Sequence, residues 1–139
     1  MTAYQDFQNH IAELSDILNS ISILKWDART QMPSGGAETR GYQLATLSRL
    51  AQEHFISEKT ARLLDAAQAE IAGSDPDSYP VRALEQTRLY YDILQRLPLD
   101  LIGDKAALEP VSEGVWAEAK KNNDFASFAP YLQKQLDLA

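Results

Sequence analysis

The sequence predicts an all-α fold: elongated antiparallel helices joined by short loops into a helical hairpin or bundle, with no sheet. Three observations carry this. Tyr4, Phe7, Ile11, Leu14, Leu18 and Ile21 recur in steps of three and four, with Ile17 and Leu24 widening the stripe. Prolines and clusters of turn-forming residues punctuate the chain at helix-sized intervals. No run alternates apolar and polar residues for long enough to argue a strand.

The first helix opens on Thr2 followed by Gln5, the spacing of a capping box, which satisfies two otherwise orphaned amides. Its pattern stops near Asp27, and Pro33 forbids a helix running straight on. A second helix starts at Gly36 or Ala37 with Glu38 in its first turn, where the helix dipole favours an anion. Leu44, Leu47, Ala51 and His54 continue one face. Ser57 reads as a fresh N-cap ahead of Leu63, Leu64, Ala67 and Ile71, so a break is expected between Phe55 and Ser57.

Gly73 to Ser78, "GSDPDS", is a loop by composition. The next helix begins near Tyr79 or Pro80, carries Val81, Leu84, Tyr91 and Leu94 on one face, and ends before Pro98. Residues 99–122 are helical, but Gly103 and Pro110 predict two shorter pieces. Asn122, Asn123 and Asp124 form a break with Asp124 as N-cap. Phe125, Phe128, Leu132 and Leu136 then mark a last helix, whose second turn Pro130 is expected to disturb. No repeat or low-complexity tract interrupts what reads as a single helical domain over residues 1–139.

Composition narrows the function. With 139 residues, 45% hydrophobic and 24% charged, the chain has the balance of an ordinary globular protein. It has no cysteine, which removes disulfides, thiol nucleophiles and thiolate metal sites together. Twenty acidic residues face 13 basic ones, for a net charge of −7, and no three basic residues are consecutive, so nucleic acid is not an expected partner. No apolar stretch is long enough to span a membrane. The opening "MTAYQDFQNH" lacks the basic and apolar regions of a signal peptide, and a cytoplasmic location is expected.

No catalytic set emerges from the residues. His10 and His54 are the only histidines; Glu13 follows the first and Glu58 the second. A helical zinc-protease motif needs two histidines at i and i+4 with a Glu between them, and this chain has no such pair. No Gly-x-Ser-x-Gly elbow exists. Gly35 and Gly36 precede a helix but lack the Gly-Lys-Ser/Thr of a phosphate loop, and read as a tight lead-in to that helix. The carboxylate pairs Asp75–Asp77, Asp100–Asp104 and Glu109–Glu113 read as solvated surface, and Trp116, Phe125, Phe128 and Tyr131 as helix–helix core. The expectation is therefore no catalytic, cofactor-binding or metal-binding residue in this segment. In the crowded connection Ile23–Arg40, "ILKWDARTQMPSGGAETR", Asp27 is expected to pair with Arg40 or Arg29, with Trp26 packed beneath.

Three ordered blocks carry a resemblance. The first holds Trp26, Asp27, Met32, Pro33, Gly35, Gly36, Arg40, the run Gln43 to Leu50 ("QLATLSRL") and His54. The second is Val81 to Pro98, "VRALEQTRLYYDILQRLP", and the third Val115 to Leu138, "VWAEAKKNNDFASFAPYLQKQLDL". Together they resemble the N-terminal region of the Taq-type metallocarboxypeptidases over nearly the whole chain. That resemblance implies a cytoplasmic, mostly helical and often dimeric enzyme that removes C-terminal residues from peptides. It implies a zinc or cobalt ion held by a His-Glu-x-x-His helix and a downstream Glu, none of which matches a position here. By the same resemblance, this segment is a lid and scaffold over a substrate groove. It is inactive alone, binds no cofactor, and self-associates or packs on a catalytic half, with peptide substrate met only in the full-length enzyme. The alternative is a free-standing helical interaction or dimerisation module without enzymatic activity.

Overall fold

The computed structural model describes residues 2–139; Met1, at the head of the stretch read for a signal peptide, lies outside the described residues. The fold is all-α, with six α-helices and no strand among the described residues. They are α1 (Ala3–Thr30), α2 (Ala37–Phe55), α3 (Glu58–Glu70), α4 (Tyr79–Leu94), α5 (Leu99–Asn122) and α6 (Phe125–Asp137), with a single 3₁₀ turn at Ser34–Gly36 before α2. The chain forms two compact units. Unit 1 holds residues 2–18 and 50–98; unit 2 holds residues 19–49 and 99–139.

Local chemistry sets the ends. The Thr2 hydroxyl accepts from the Gln5 amide at 3.2 Å, and the Gln5 side chain accepts from the Thr2 amide at 3.0 Å, completing the capping box. The Ser57 hydroxyl accepts from the Thr60 amide and separates α3 from α2 where the sequence placed the break. Asp124 caps α6 by accepting from the Ser127 amide, after Asn123 turns into the left-handed region with φ of 52°.

In unit 1 the buried set is Phe7, His10 and Leu14 from α1, Ala51, Gln52 and Phe55 from α2, Thr60, Leu64 and Ala67 from α3, and Leu84 and Tyr91 from α4. Arg88 of α4 pairs with Asp65 of α3 and donates to Gln68 at 3.1 Å. Gln52 donates to the carbonyls of Leu94 and Leu97, closing orphan acceptors at the end of α4. The buried stripe of α1 differs from the expected one. Leu18 is exposed, and His10 occupies a core position on the series Phe7, His10, Leu14, Ile17, Ile21 and Leu24, which also steps by three and four.

In unit 2, α5 is continuous through Gly103 and Pro110, against the expectation of two pieces. Both residues are buried there, and Gly103 lies against the Arg49 side chain, where an added Cβ would meet Cδ at 3.2 Å. Packing overrides propensities of about 1 and 3 kcal/mol for Gly and Pro. Pro130 likewise stays inside an unbroken α6. The expected aromatic core is corrected in part: Trp116 and Phe125 are exposed, and Phe125 meets Phe128 edge-on at 6.4 Å. Across α5 and α6, Gln135 donates to the buried Ser112 hydroxyl at 2.6 Å, and Phe128 and Tyr131 are half-buried.

Candidate functional site

Two constellations hold the residues that the sequence singled out. The first lies in unit 1. His10 and Glu13 are three residues apart and therefore share a face of α1. His54 sits in the last turn of α2, and Thr60 in the first turns of α3. Their ligand-capable atoms converge: His10, Glu13 and His54 each offer one donor atom, all within 4.8 Å of one another. His10 Nδ1 lies 3.8 Å from Glu13 Oε2, and His54 Nε2 lies 3.7 Å from the same oxygen. The imidazole rings are 4.2 Å apart at a 30° tilt.

The tautomer of His10 is assigned from the hydrogen bonds around Thr60. With the Thr60 proton assigned to the His54 carbonyl at 3.0 Å, which has no other donor to it among the described residues, the hydroxyl accepts from His10 Nε2–H at 2.7 Å, and Ser57 Oγ lies 3.1 Å from it. Nδ1 of His10 then carries a bare lone pair, and it is a buried atom with no hydrogen-bond partner. Burial first, then the charges of His54 and Lys59, hold the His10 imidazole below its usual range, with Glu13 opposing them. His54 Nε2 donates to the His10 carbonyl at 3.2 Å, and Lys59 Nζ stands 3.9 Å from Glu13. Glu58, the sequence neighbour of His54, is not part of the group; it faces solvent and pairs with Arg62.

The second constellation lies in unit 2, at the α1–α2 connection. Arg40 uses its whole guanidinium: Nη2 pairs with Asp27 at 2.7 Å, Nη1 donates to the Leu24 carbonyl at 2.6 Å, and Nε donates to Gln43 at 2.9 Å. The expected Asp27–Arg40 pair is present. Arg29 instead pairs with Glu113 at 2.6 Å, and Lys25 with Glu109 at 2.6 Å, so these two glutamates of α5 are engaged rather than merely solvated. Trp26 is 63% exposed, which corrects the expectation that it packs beneath the connection. It falls off the buried stripe, on the opposite face of α1 from Ile21 and Leu24. The pairs Asp75–Asp77 and Asp100–Asp104 remain on the surface, with Asp77 bound to Arg82 at 2.6 Å. An open cleft in the same unit is lined by Lys25, Ser48, Ile102, Lys105, Glu109 and Gln135, of which Lys25 and Glu109 are ion-paired.

This helical geometry agrees with the comparisons. The sequence profile of the carboxypeptidase Taq (M32) metallopeptidases matches residues 6–139. The chain belongs to that family. It is 27% identical over 132 residues to "Thermostable carboxypeptidase 1" of Thermus thermophilus, covering 95% of this chain and 26% of that protein. It is 24% identical over 136 residues to "Carboxypeptidase 1" of Bacillus subtilis, covering 98% of this chain and 27% of that protein. A solved structure titled "The Structure of CHT" superposes with a TM-score of 0.64 at 26% identity, over 98% of this chain and 27% of that one. The chain thus spans about a quarter of the length of the curated relatives it matches.

A metallopeptidase family implies a metal, and the residues present do not make the hydrolytic centre. His10 and His54 come from different helices and form no His-Glu-x-x-His pair. Glu13 is the only carboxylate of the group; serving as a ligand, it leaves no second carboxylate to act as general base.

Proposed function

We propose that this chain is the N-terminal helical segment of a metal-dependent carboxypeptidase that removes C-terminal residues from peptides, acting as lid and scaffold and not as catalyst. The observation that carries this reading is the profile match over residues 6–139 in a sequence without His-Glu-x-x-His. In the full-length enzyme a zinc or cobalt ion supplies the Lewis acid for peptide hydrolysis. The segment's own residues hold the helices that border the substrate. Exposed apolar side chains support the packing role: Ile23 and Trp26 of α1 and Tyr42 of α2 lie open in unit 2. A cytoplasmic location and a dimeric state are part of the same proposal; no described helix is long and apolar enough to cross a membrane.

The test is a peptidase assay of the purified 139-residue chain with added zinc or cobalt, beside the same chain joined to the catalytic remainder of a relative. Turnover is expected only in the joined protein. Metal-dependent release of C-terminal residues by the chain alone overturns the proposal.

A further inference from the structure

We propose that His10, Glu13 and His54 form a binding site for one divalent ion of the zinc class, which ties α1 to α2 within unit 1. This rests on the convergence of three donors from two helices and on the buried, unpartnered Nδ1 of His10 among them. It does not rest on the enzyme reading of the preceding section.

The donor chemistry suits the ion. Two imidazoles and a carboxylate are borderline ligands that favour zinc and its neighbours over calcium or magnesium. The His-x-x-Glu spacing on α1 sets two ligands on one face, and the end of α2 supplies the third, an arrangement helical metal sites use. Tetrahedral ligands at ~2.0–2.2 Å place neighbouring donors roughly 3.5 Å apart. The separations of 3.8 and 3.7 Å to Glu13 shrink by a few tenths of an ångström on binding, and the two imidazole donors, within 4.8 Å of each other, close further as His54 turns.

His10 is prepared for the role. It is only 3% exposed, its ring is locked through Nε2–H to Thr60, and Thr60 is fully buried. An orienting hydrogen bond on the far ring nitrogen is what metal-bound histidines ordinarily have. In the assigned Nε2–H tautomer, Nδ1 presents a lone pair toward the Glu13 carboxylate oxygen 3.8 Å away, two acceptors with nothing between them. A cation resolves that mismatch.

Two contacts compete. His54 Nε2 must give up its bond to the His10 carbonyl and pass to the Nδ1–H tautomer, and the His54 side chain is about a quarter exposed, which leaves it room to turn. Lys59 must release Glu13; both side chains are more than half exposed and that contact is weak. The same exposure of Glu13 gives the ion a way in and leaves a fourth position for water.

The experiment titrates chelator-treated chain with zinc chloride, followed by calorimetry, and with cobalt chloride, followed by visible absorption. Imidazole ¹⁵N spectra are recorded alongside. The expected results are saturation at one equivalent, movement of the His10 Nδ1 resonance, and a thermal midpoint raised by several degrees. Glu13→Gln and His54→Gln are at partly exposed positions and are checked for native helicity. Each is expected to weaken binding by about tenfold or more. The proposal is overturned if no saturable binding occurs, if both variants bind as tightly as the parent, marking an adventitious ion only, or if the His10 resonance is unmoved by zinc.

Discussion

The histidine cluster of unit 1 and the α1–α2 connection of unit 2 use polar residues in opposite ways. The connection spends Asp27, Arg29 and Arg40 on ion pairs near helix ends. The open Arg29–Glu113 pair contributes little, and the Asp27–Arg40 pair is sheltered mainly on its Arg40 side. The cluster buries His10 and Thr60 and satisfies them almost completely, leaving a single lone pair unmatched. The stretch crowded with chemistry is connective, and the two inconspicuous histidines hold the unusual environment. Density of functional side chains along a sequence is thus a poor guide to where electrostatic tension is stored; burial decides it.

Gly41 gives the largest expected effect and tests how tight the connective region is. A Cβ on Gly41 would stand 2.6 Å from the Ala107 carbonyl of α5, a contact with backbone that cannot swing aside. Gly41→Ala gains up to ~1 kcal/mol of helix propensity but is expected to destabilise the chain by a net ~1–3 kcal/mol through overpacking. Urea unfolding checks it; a stabilised variant means that α2 and α5 are less closely packed than described.

Next in size is Thr60→Val in the cluster. The substitution preserves volume and removes the hydroxyl that serves His10 Nε2 and the His54 carbonyl. Stranding these groups is expected to cost ~1–3 kcal/mol in urea unfolding, where a loss near zero would make the network dispensable. The connection's counterpart is Arg40→Gln, which removes three guanidinium contacts from a mostly buried side chain. It is expected to cost ~1–2 kcal/mol, reduced because Asp27 retains access to water. If the Arg40 variant costs more than the Thr60 variant, the ranking of the two regions is reversed.

Acidity sharpens the same contrast. The His10 pKa in the folded chain lies below its ordinary 6.5, chiefly through burial. The unfolded chain therefore binds the proton first, and this contribution to stability is full above pH ~6.5 and is lost as pH falls through the folded value. Urea midpoints in chelator are expected to drop from pH 7.5 toward pH 5. A His10→Gln variant is expected to flatten that slope; an equally steep slope in the variant assigns it to other groups.

Much of the fold was legible because it depends on local rules. The Thr2–Gln5 box, the Ser57 and Asp124 caps and the Gly73–Ser78 loop are set by residues within a few positions of one another. The continuity of α5 was not legible, since Gly103 is buried there against the Arg49 side chain, 54 positions away in sequence. The meeting of His10 with His54 was hidden for the same reason, being a contact across 44 residues. One signal was available: Phe7, His10, Leu14, Ile17, Ile21 and Leu24 form a stripe as regular as the one read through Tyr4, Ile11 and Leu18, and it places His10 inside.

Trp26 gives the smallest expected effect and reverses the sequence-based expectation. In a core, Trp-to-Ala truncation costs ~3–5 kcal/mol. Here the side chain is mostly in solvent, so little apolar surface leaves water when the chain folds. Alanine is also the better helix former at an exposed position within α1. Trp26→Ala is therefore expected to change the urea-derived stability of the 139-residue chain by no more than ~0.5 kcal/mol. A cost of ~3 kcal/mol or more would place the ring in a packed setting. The same variant, in the chain joined to a catalytic remainder, bears on the lid-and-scaffold proposal. An exposed Trp beside Ile23 that is harmless to the chain alone, yet weakens the joined protein, is what a face built for docking does. A Trp harmless in both settings leaves its exposure without a structural use.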